Sequence, residues 1–326
     1  MAITETPETP TFASYFTAIV DNIERVVQGK RDVIELAVVC MVAEGHLLVE
    51  DVPGVGKTSL AKAMALSIEG SWGRVQFTPD LLPTDVVGVT VWNRGTNAFE
   101  FKRGPIFTNL VLADEINRAS PKTQSALLEA MEERQVTVDG TTHPLTRPFM
   151  VIATQNPLDH EGTYPLPESQ LDRFLLRMSM GYPTKQFELQ ILETHGGAGT
   201  LSSVSPVVTV TDVQRMIVAA RGVHVAPPLR SYLVDLATAS RAHRSIHLGM
   251  SPRATLALQK AARALAAARG RSYVTPDDVK AIAVPVLAHR LVLSPEAQLQ
   301  GLDGAAVVQE LLASVPVPVA AADQRG

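Results

Sequence analysis

The segment that most constrains this chain is Pro53-Gly54-Val55-Gly56-Lys57-Thr58-Ser59. It joins an apolar run at residues 46–50, which reads as a buried strand, to an Ala-rich run at 57–68, which reads as a helix. A strand–loop–helix turn of this composition suits a phosphate chain. Glycine lets the backbone approach closely, successive N–H groups form a concave anion cradle, and the helix start adds its positive end. Lys57 supplies a point charge for the β- and γ-phosphates, and Thr58 a hydroxyl for Mg²⁺. Pro53, Gly54, Val55, Gly56, Lys57, Thr58 and Ser59 are therefore the expected phosphate-binding residues. The motif usually opens with a glycine five residues before Gly56; Asp51 stands there instead. At a strand exit the backbone turn is expected to matter more than the side chain, so Asp51→Gly is expected to be tolerated.

A second apolar strand, Leu110-Val111-Leu112-Ala113, delivers two carboxylates at its polar end, Asp114 and Glu115. Asp114 suits Mg²⁺ binding through water, and Glu115 suits orienting and polarising an attacking water. A third, Val151-Ile152-Ala153-Thr154, runs into Gln155-Asn156-Pro157. Asn156 is the candidate for holding that water and the γ-phosphate.

Further strands are expected at 74–77 and 175–180, with helices between, as in parallel α/β sheets. Turn signals at Arg94-Gly95-Thr96-Asn97 and Asp139-Gly140 mark two inserted hairpins. From residue 184 every periodic segment reads as helix, at 185–195, 211–220, 228–241, 252–268 and 276–289. The expected organisation is a disordered tail at 1–11, an α/β domain at 12–183 and a helical domain at 184–326. Residues 196–206 read as a linker, 315–326 as frayed, and Asp159-His160-Glu161 as a solvated loop.

The formal charge of −4 supplies no general basic field for nucleic acid. Small basic clusters on the hairpins (Arg94, Lys102 and Arg103; Arg134, His143 and Arg147) keep a nucleic-acid-dependent motor as an alternative. The single Cys40 lies in an apolar run and is expected to be a core thiol. No apolar run reaches the ~20 residues that span a bilayer, and the N-terminus lacks a signal-peptide pattern, so the cytoplasm is the expected location.

Taken together, these residues resemble the AAA+ superfamily, and within it the MoxR family of chaperone-like ATPases. The resemblance runs from about residue 26 to 293. It rests on Val27-Gln28-Gly29, the phosphate loop, Ala113-Asp114-Glu115-Ile116-Asn117-Arg118-Ala119 and Ala153-Thr154-Gln155-Asn156-Pro157. Its most specific parts are Gly162-Thr163-Tyr164-Pro165-Leu166-Pro167-Glu168 and the neighbouring Leu171-Asp172-Arg173-Phe174, and it closes with Gly249-Met250-Ser251-Pro252-Arg253-Ala254. The resemblance implies an αβα sandwich with five parallel strands in the order 5-1-4-3-2 and an all-α lid. It implies Mg²⁺-dependent ATP hydrolysis in a ring, usually a hexamer. Val27 and Gln28 would lie near adenine, and Asn156 would be the first sensor. Arg173 would be an arginine finger reaching a neighbour's γ-phosphate, with a further inter-subunit contact from Arg118. Arg253 would be the second sensor, contacting ATP of its own subunit. The implied partner is a protein client, often a von Willebrand factor A domain protein, whose complexes are remodelled or matured. A magnesium-chelatase-type ATPase subunit is a structural cousin and a further alternative.

Overall fold

The computed structural model describes residues 11–52, 54–156, 162–193 and 201–318. Most of the expected tail, Pro53, the Asp159-His160-Glu161 loop, part of the expected linker and the last eight residues lie outside them.

In chain order the strands are β1 (Leu47–Glu50), β2 (Trp72–Gln76), β3 (Gly88–Asn93), β4 (Ala98–Arg103), β5 (Leu110–Asp114), β6 (Gln135–Val138), β7 (Thr141–Pro144), β8 (Met150–Gln155), β9 (Leu176–Met178), β10 (Ile246–Leu248) and β11 (Val292–Leu293). The helices are α1 (Phe12–Glu24), α2 (Arg31–Val42), α3 (Lys57–Ser67), α4 (Pro83–Val87), α5 (Pro121–Glu133), α6 (Glu168–Leu171), α7 (Lys185–Glu193), α8 (Val210–Gly222), α9 (Pro227–Ala242), α10 (Pro252–Ala268), α11 (Pro276–Leu287), α12 (Pro295–Leu299) and α13 (Gly304–Ser314).

Five strands form one parallel sheet in the order β2-β5-β8-β1-β9. Counted along the chain and read from the other edge, that order is 5-1-4-3-2. The central strands read as unbroken apolar runs because both faces are covered. Successive side chains leave a strand on opposite faces. Leu47, Val49, Leu112 and Ile152 thus enter one core, shared with α1, α2, α3 and the lid helices. Leu48, Val111, Ala113, Val151 and Ala153 enter the other, against α4 and α5. The first core runs without a break from the sheet into the lid, through residues such as Met216, Leu258, Ile282 and Val307. Cys40 is fully buried within it.

Both hairpins form as separate two-stranded units, β3–β4 and β6–β7. Asp139 (φ 49°) and Gly140 (φ 76°) supply the two left-handed positions that a tight hairpin turn needs. The strands do not stop at residue 183, however. β10 pairs antiparallel with β11 inside the lid, too short for any periodicity to show. The final helices α12 and α13 were also not expected. Ala, Leu, Gln and Glu favour α13, Asp303 caps it by accepting the Ala306 N–H at 2.7 Å, and Val307, Val308, Leu311 and Leu312 bury one face.

Candidate active site

Parallel strands bring all their carboxyl ends to one edge of the sheet, where open α/β folds bind ligands. Register makes this concrete: Gln76 lies beside Asp114, Ala113 beside Ala153, and Glu50 beside Gln155. At this edge Gly54, Gly56, Lys57, Thr58, Ser59, Asp114, Glu115 and Asn156 line a single cavity of about 320 Å³. Gly54 (φ 87°) and Gly56 (φ 96°) hold the loop in conformations that side chains disfavour. A Cβ placed on Gly54 would meet nothing within 4 Å, so the loop faces open space. Lys57 opens α3, and its Nζ donates to the Asp51 carbonyl at 2.6 Å.

Asp51 requires a correction. Its side chain is buried and works as a clasp. Oδ2 accepts from the Ser179 hydroxyl (2.8 Å) and the N–H groups of Met180 (2.7 Å) and Gly181 (2.6 Å); Oδ1 accepts from the Val52 N–H at 2.9 Å. Burial alone would push the carboxyl up. The hydrogen bonds from Gly181, Ser179, Val52 and Met180 outweigh it and hold Asp51 below its ordinary 3.8. The carboxylate ties the β1 exit to the turn after β9, which also explains why β9 ends at Met178 rather than at 180. A glycine there would leave these donors unmet, so the expected tolerance of Asp51→Gly does not stand.

The two carboxylates after β5 are held by a network that sequence reading missed. Thr154 donates its hydroxyl to Asp114 Oδ1 at 2.6 Å and accepts the Glu115 N–H at 2.9 Å. Arg74 pairs with Asp114 Oδ2 at 2.8 Å. Glu115 sits in a left-handed conformation (φ 56°), and its Oε2 receives Gln76 Nε2 (2.8 Å) and Arg118 (3.1 Å). The hint of Thr154 was a polar residue closing an apolar strand, and nothing local singles out Gln76 in the mixed segment Arg74-Val75-Gln76-Phe77. Their partners depend on which strands are neighbours. Arg118 here contacts Glu115 of its own chain.

Of the two residues expected near adenine, Val27 is buried, and the Oε1 of Gln28 is buried with no hydrogen-bond partner among the described residues. Gly29 (φ 67°) packs so closely under Phe187 that a Cβ would approach the ring to 2.1 Å. Lys30 donates to the Tyr182 carbonyl at 2.8 Å. The Met180 side chain lies 3.7 Å from where a Gly56 Cβ would stand, linking this corner to the phosphate loop.

Arg173 and Arg253 stand elsewhere. Arg173 precedes β9, and Arg253 lies in the first turn of α10, set there by Ser251 capping the Ala254 N–H. Both line a second cavity with Gly45 and His46, which precede β1. That places them at the amino ends of strands whose carboxyl ends carry the phosphate loop, a strand length of roughly 13 Å away. Glu132 bridges them, to Arg173 at 2.9 Å and to Arg253 at 3.1 Å; Arg173 also donates to the Leu128 carbonyl at 2.6 Å. The structure therefore does not bring Arg253 to its own phosphate loop, as expected from the sequence, but sets it beside Arg173.

The residues present fit ATP and Mg²⁺. The glycine cradle is open, Lys57 supplies the cation, Thr58 and Asp114 are hard oxygen donors, and Gln28 offers an orphaned acceptor suited to an exocyclic amine.

Comparisons with known proteins agree. Residues 46–176 match the ATPase family associated with various cellular activities (AAA), and residues 238–311 match the AAA lid domain. The uncharacterised protein YeaC of Bacillus subtilis is 49% identical over 300 residues, covering 92% of this chain and 94% of its own. Chaperone MoxR1 of Mycobacterium tuberculosis is 40% identical over 94% of this chain and 83% of its own, and protein MoxR of Paracoccus denitrificans 32% identical over 90% and 94%. A crystal structure from Cytophaga hutchinsonii, described as a candidate ATPase, superposes with a TM-score of 0.88 at 37% identity, covering 94% of this chain and 96% of that one. An α/β nucleotide-binding domain with a helical lid, matched along nearly all its length by these relatives, identifies the chain as a member of the MoxR family of AAA+ ATPases.

Proposed function

We propose that this ATPase works as a ring and couples Mg²⁺-dependent ATP hydrolysis to remodelling of protein complexes in the cytoplasm. One observation carries the reading. The phosphate loop and the two arginines sit at opposite ends of the same sheet, so one chain cannot join them. A second copy placed head to tail can, and repetition of a head-to-tail contact closes a ring; a hexamer is the number the family resemblance implies.

In this arrangement Lys57 and the N–H groups of the loop hold the β- and γ-phosphates. Thr58 and, through water, Asp114 would hold Mg²⁺, which would supply charge neutralisation at the phosphates. Glu115 orients and polarises the attacking water, and Asn156 fixes its position against the γ-phosphate. Glu115 must first leave Gln76 and Arg118, which hold it in the described state. Arg173 and Arg253 of the adjoining copy exchange Glu132 for the γ-phosphate oxygens, since guanidinium stays charged and binds such oxygens in a planar fork. Assigning Arg253 to the neighbour's ATP replaces the expectation that it serves its own.

The exposed edge-to-face pair Trp92–Phe99 on the β3–β4 hairpin, 5.0 Å between rings, gives a surface for a protein client. The family resemblance suggests a von Willebrand factor A domain protein. Glu115→Gln tests the reading. It is expected to keep ATP and lower turnover about a hundredfold or more, and to retain a protein client on pull-down. Turnover near wild type would remove Glu115 from its role.

A further inference from the structure

Besides the active site and the arginine face, the chain holds a third charged cavity, of about 500 Å³, between the two domains. Its charged walls are Glu44 after α2, Arg134 capping α5, Arg221 at the end of α8, and Lys260 and Arg263 on α10. Four cations thus face one carboxylate. Glu44 is already engaged twice, by Arg134 at 2.6 Å and by Arg221. Arg134 also donates to the Glu44 carbonyl at 3.0 Å. The remaining pair has no counter-charge. Lys260 makes no hydrogen bond or ion pair among the described residues, and the Nε of Arg263 is buried without a partner. Burial, with Arg134, Arg221 and Arg253 around it, holds the Lys260 ammonium below its ordinary range.

The wall is preformed. Glu44 (φ 54°) and Arg134 (φ 53°) both adopt the left-handed conformation that such residues avoid, and their mutual contact holds them there. The site adjoins the arginine face, sharing Ala43, Glu44, Arg134 and Lys260 with it, while Arg221 and Arg263 line this cavity and not the other. Along α10, Arg263 lies ten residues beyond Arg253, about 15 Å at helical rise. Val42, Ala43 and Ala220 supply apolar wall for an organic moiety.

We propose that this cavity is a second anion site, binding a small pyrophosphate-bearing ligand between the nucleotide-binding domain and the lid. Phosphate is the class that fits. It brings several oxygens and more than one negative charge to Lys260, Arg263 and the outer N–H groups of Arg134 and Arg221, whereas a single carboxylate would leave much of that charge unmet. Bound there, the ligand bridges α5 to α8 and α10 and clamps the lid.

The test is titration calorimetry with two probes, inorganic pyrophosphate and ADP, on the full chain carrying Lys57→Ala, so that the phosphate loop does not compete. Binding of pyrophosphate is expected in this background, weakened about tenfold or more by adding Lys260→Met, as for loss of one charge-assisted contact. Lys260→Arg is expected to retain it. Lys260 makes no hydrogen bond or ion pair among the described residues to lose, so its variants preserve the fold. Binding of ADP as well assigns an organic ligand; pyrophosphate alone assigns an inorganic one. A second reading comes from NMR of ¹³C-methylated lysines, where the Lys260 titration is expected to move to higher pH on binding. Failure of both probes to bind overturns the site, as does pyrophosphate binding that Lys260→Met leaves unaltered. Binding seen with an intact Lys57 but abolished by Lys57→Ala belongs to the phosphate loop and overturns the second site, while leaving the nucleotide assignment intact.

Discussion

Asp51→Gly removes the clasp between β1 and the turn after β9. Four donors lose their acceptor: the Ser179 hydroxyl and the N–H groups of Met180, Gly181 and Val52. An unmet buried donor costs about 1–3 kcal/mol. The Met180 contact is fully buried and takes the upper end of that range, while water can reach the others, so the sum is about 4 kcal/mol. Glycine adds backbone freedom at the same point, up to about 1 kcal/mol. In a chain of this size that corresponds to a loss of at least about 5 °C in melting temperature. The Asp51 carbonyl also holds Lys57 Nζ at 2.6 Å, so a loosened strand exit is expected to raise KM for ATP. The carboxyl is depressed in the fold, so its stabilisation is complete above the ordinary 3.8 and is lost as pH falls through the lower folded value. The gap between wild type and Asp51→Gly is therefore full at neutral pH and closes only in strong acid. Thermal melts across pH, with ATPase assays at pH 7, measure both effects. Melting within about 1 °C of wild type, with unaltered KM, would refute the clasp.

Lys57→Ala is expected to abolish ATP binding by calorimetry, because the phosphates lose their main side-chain cation; normal affinity would displace the phosphate-loop assignment. Arg253→Ala is expected to leave ATP affinity of the isolated subunit unchanged and to lower hydrolysis in the assembled state by about tenfold or more, as for a lost charge-assisted contact. Lost affinity in the isolated subunit would return Arg253 to its own chain's nucleotide.

Much of this was legible in the sequence because the chemistry sits in contiguous motifs. Gly54 to Ser59, Asp114-Glu115 and Asn156 each follow an apolar strand, and parallel strands bring such ends together. The hairpin turns were legible for a similar reason, since Asp139-Gly140 is a local conformational demand. What stayed hidden depends on contacts across the chain. Asp51 looked like a missing glycine because Ser179 to Gly181, which give it a purpose, lie far along the sequence. Gln76 and Thr154 became site residues only when β2 and β8 took their places beside β5. Arg253 was misplaced for the same reason: no local pattern tells which end of the sheet a lid helix meets.

The central claim is that each active site is shared between two copies, and mixing mutants tests it most directly. Arg173→Ala and Glu115→Gln are each expected to be nearly inactive alone. In an equimolar mixture, a random interface pairs an intact Glu115 with a neighbour's intact Arg173 about one time in four, so about a quarter of wild-type hydrolysis is expected. Activity that stays at the single-mutant level across all mixing ratios, with mixed assemblies verified by native mass spectrometry, would contradict the account.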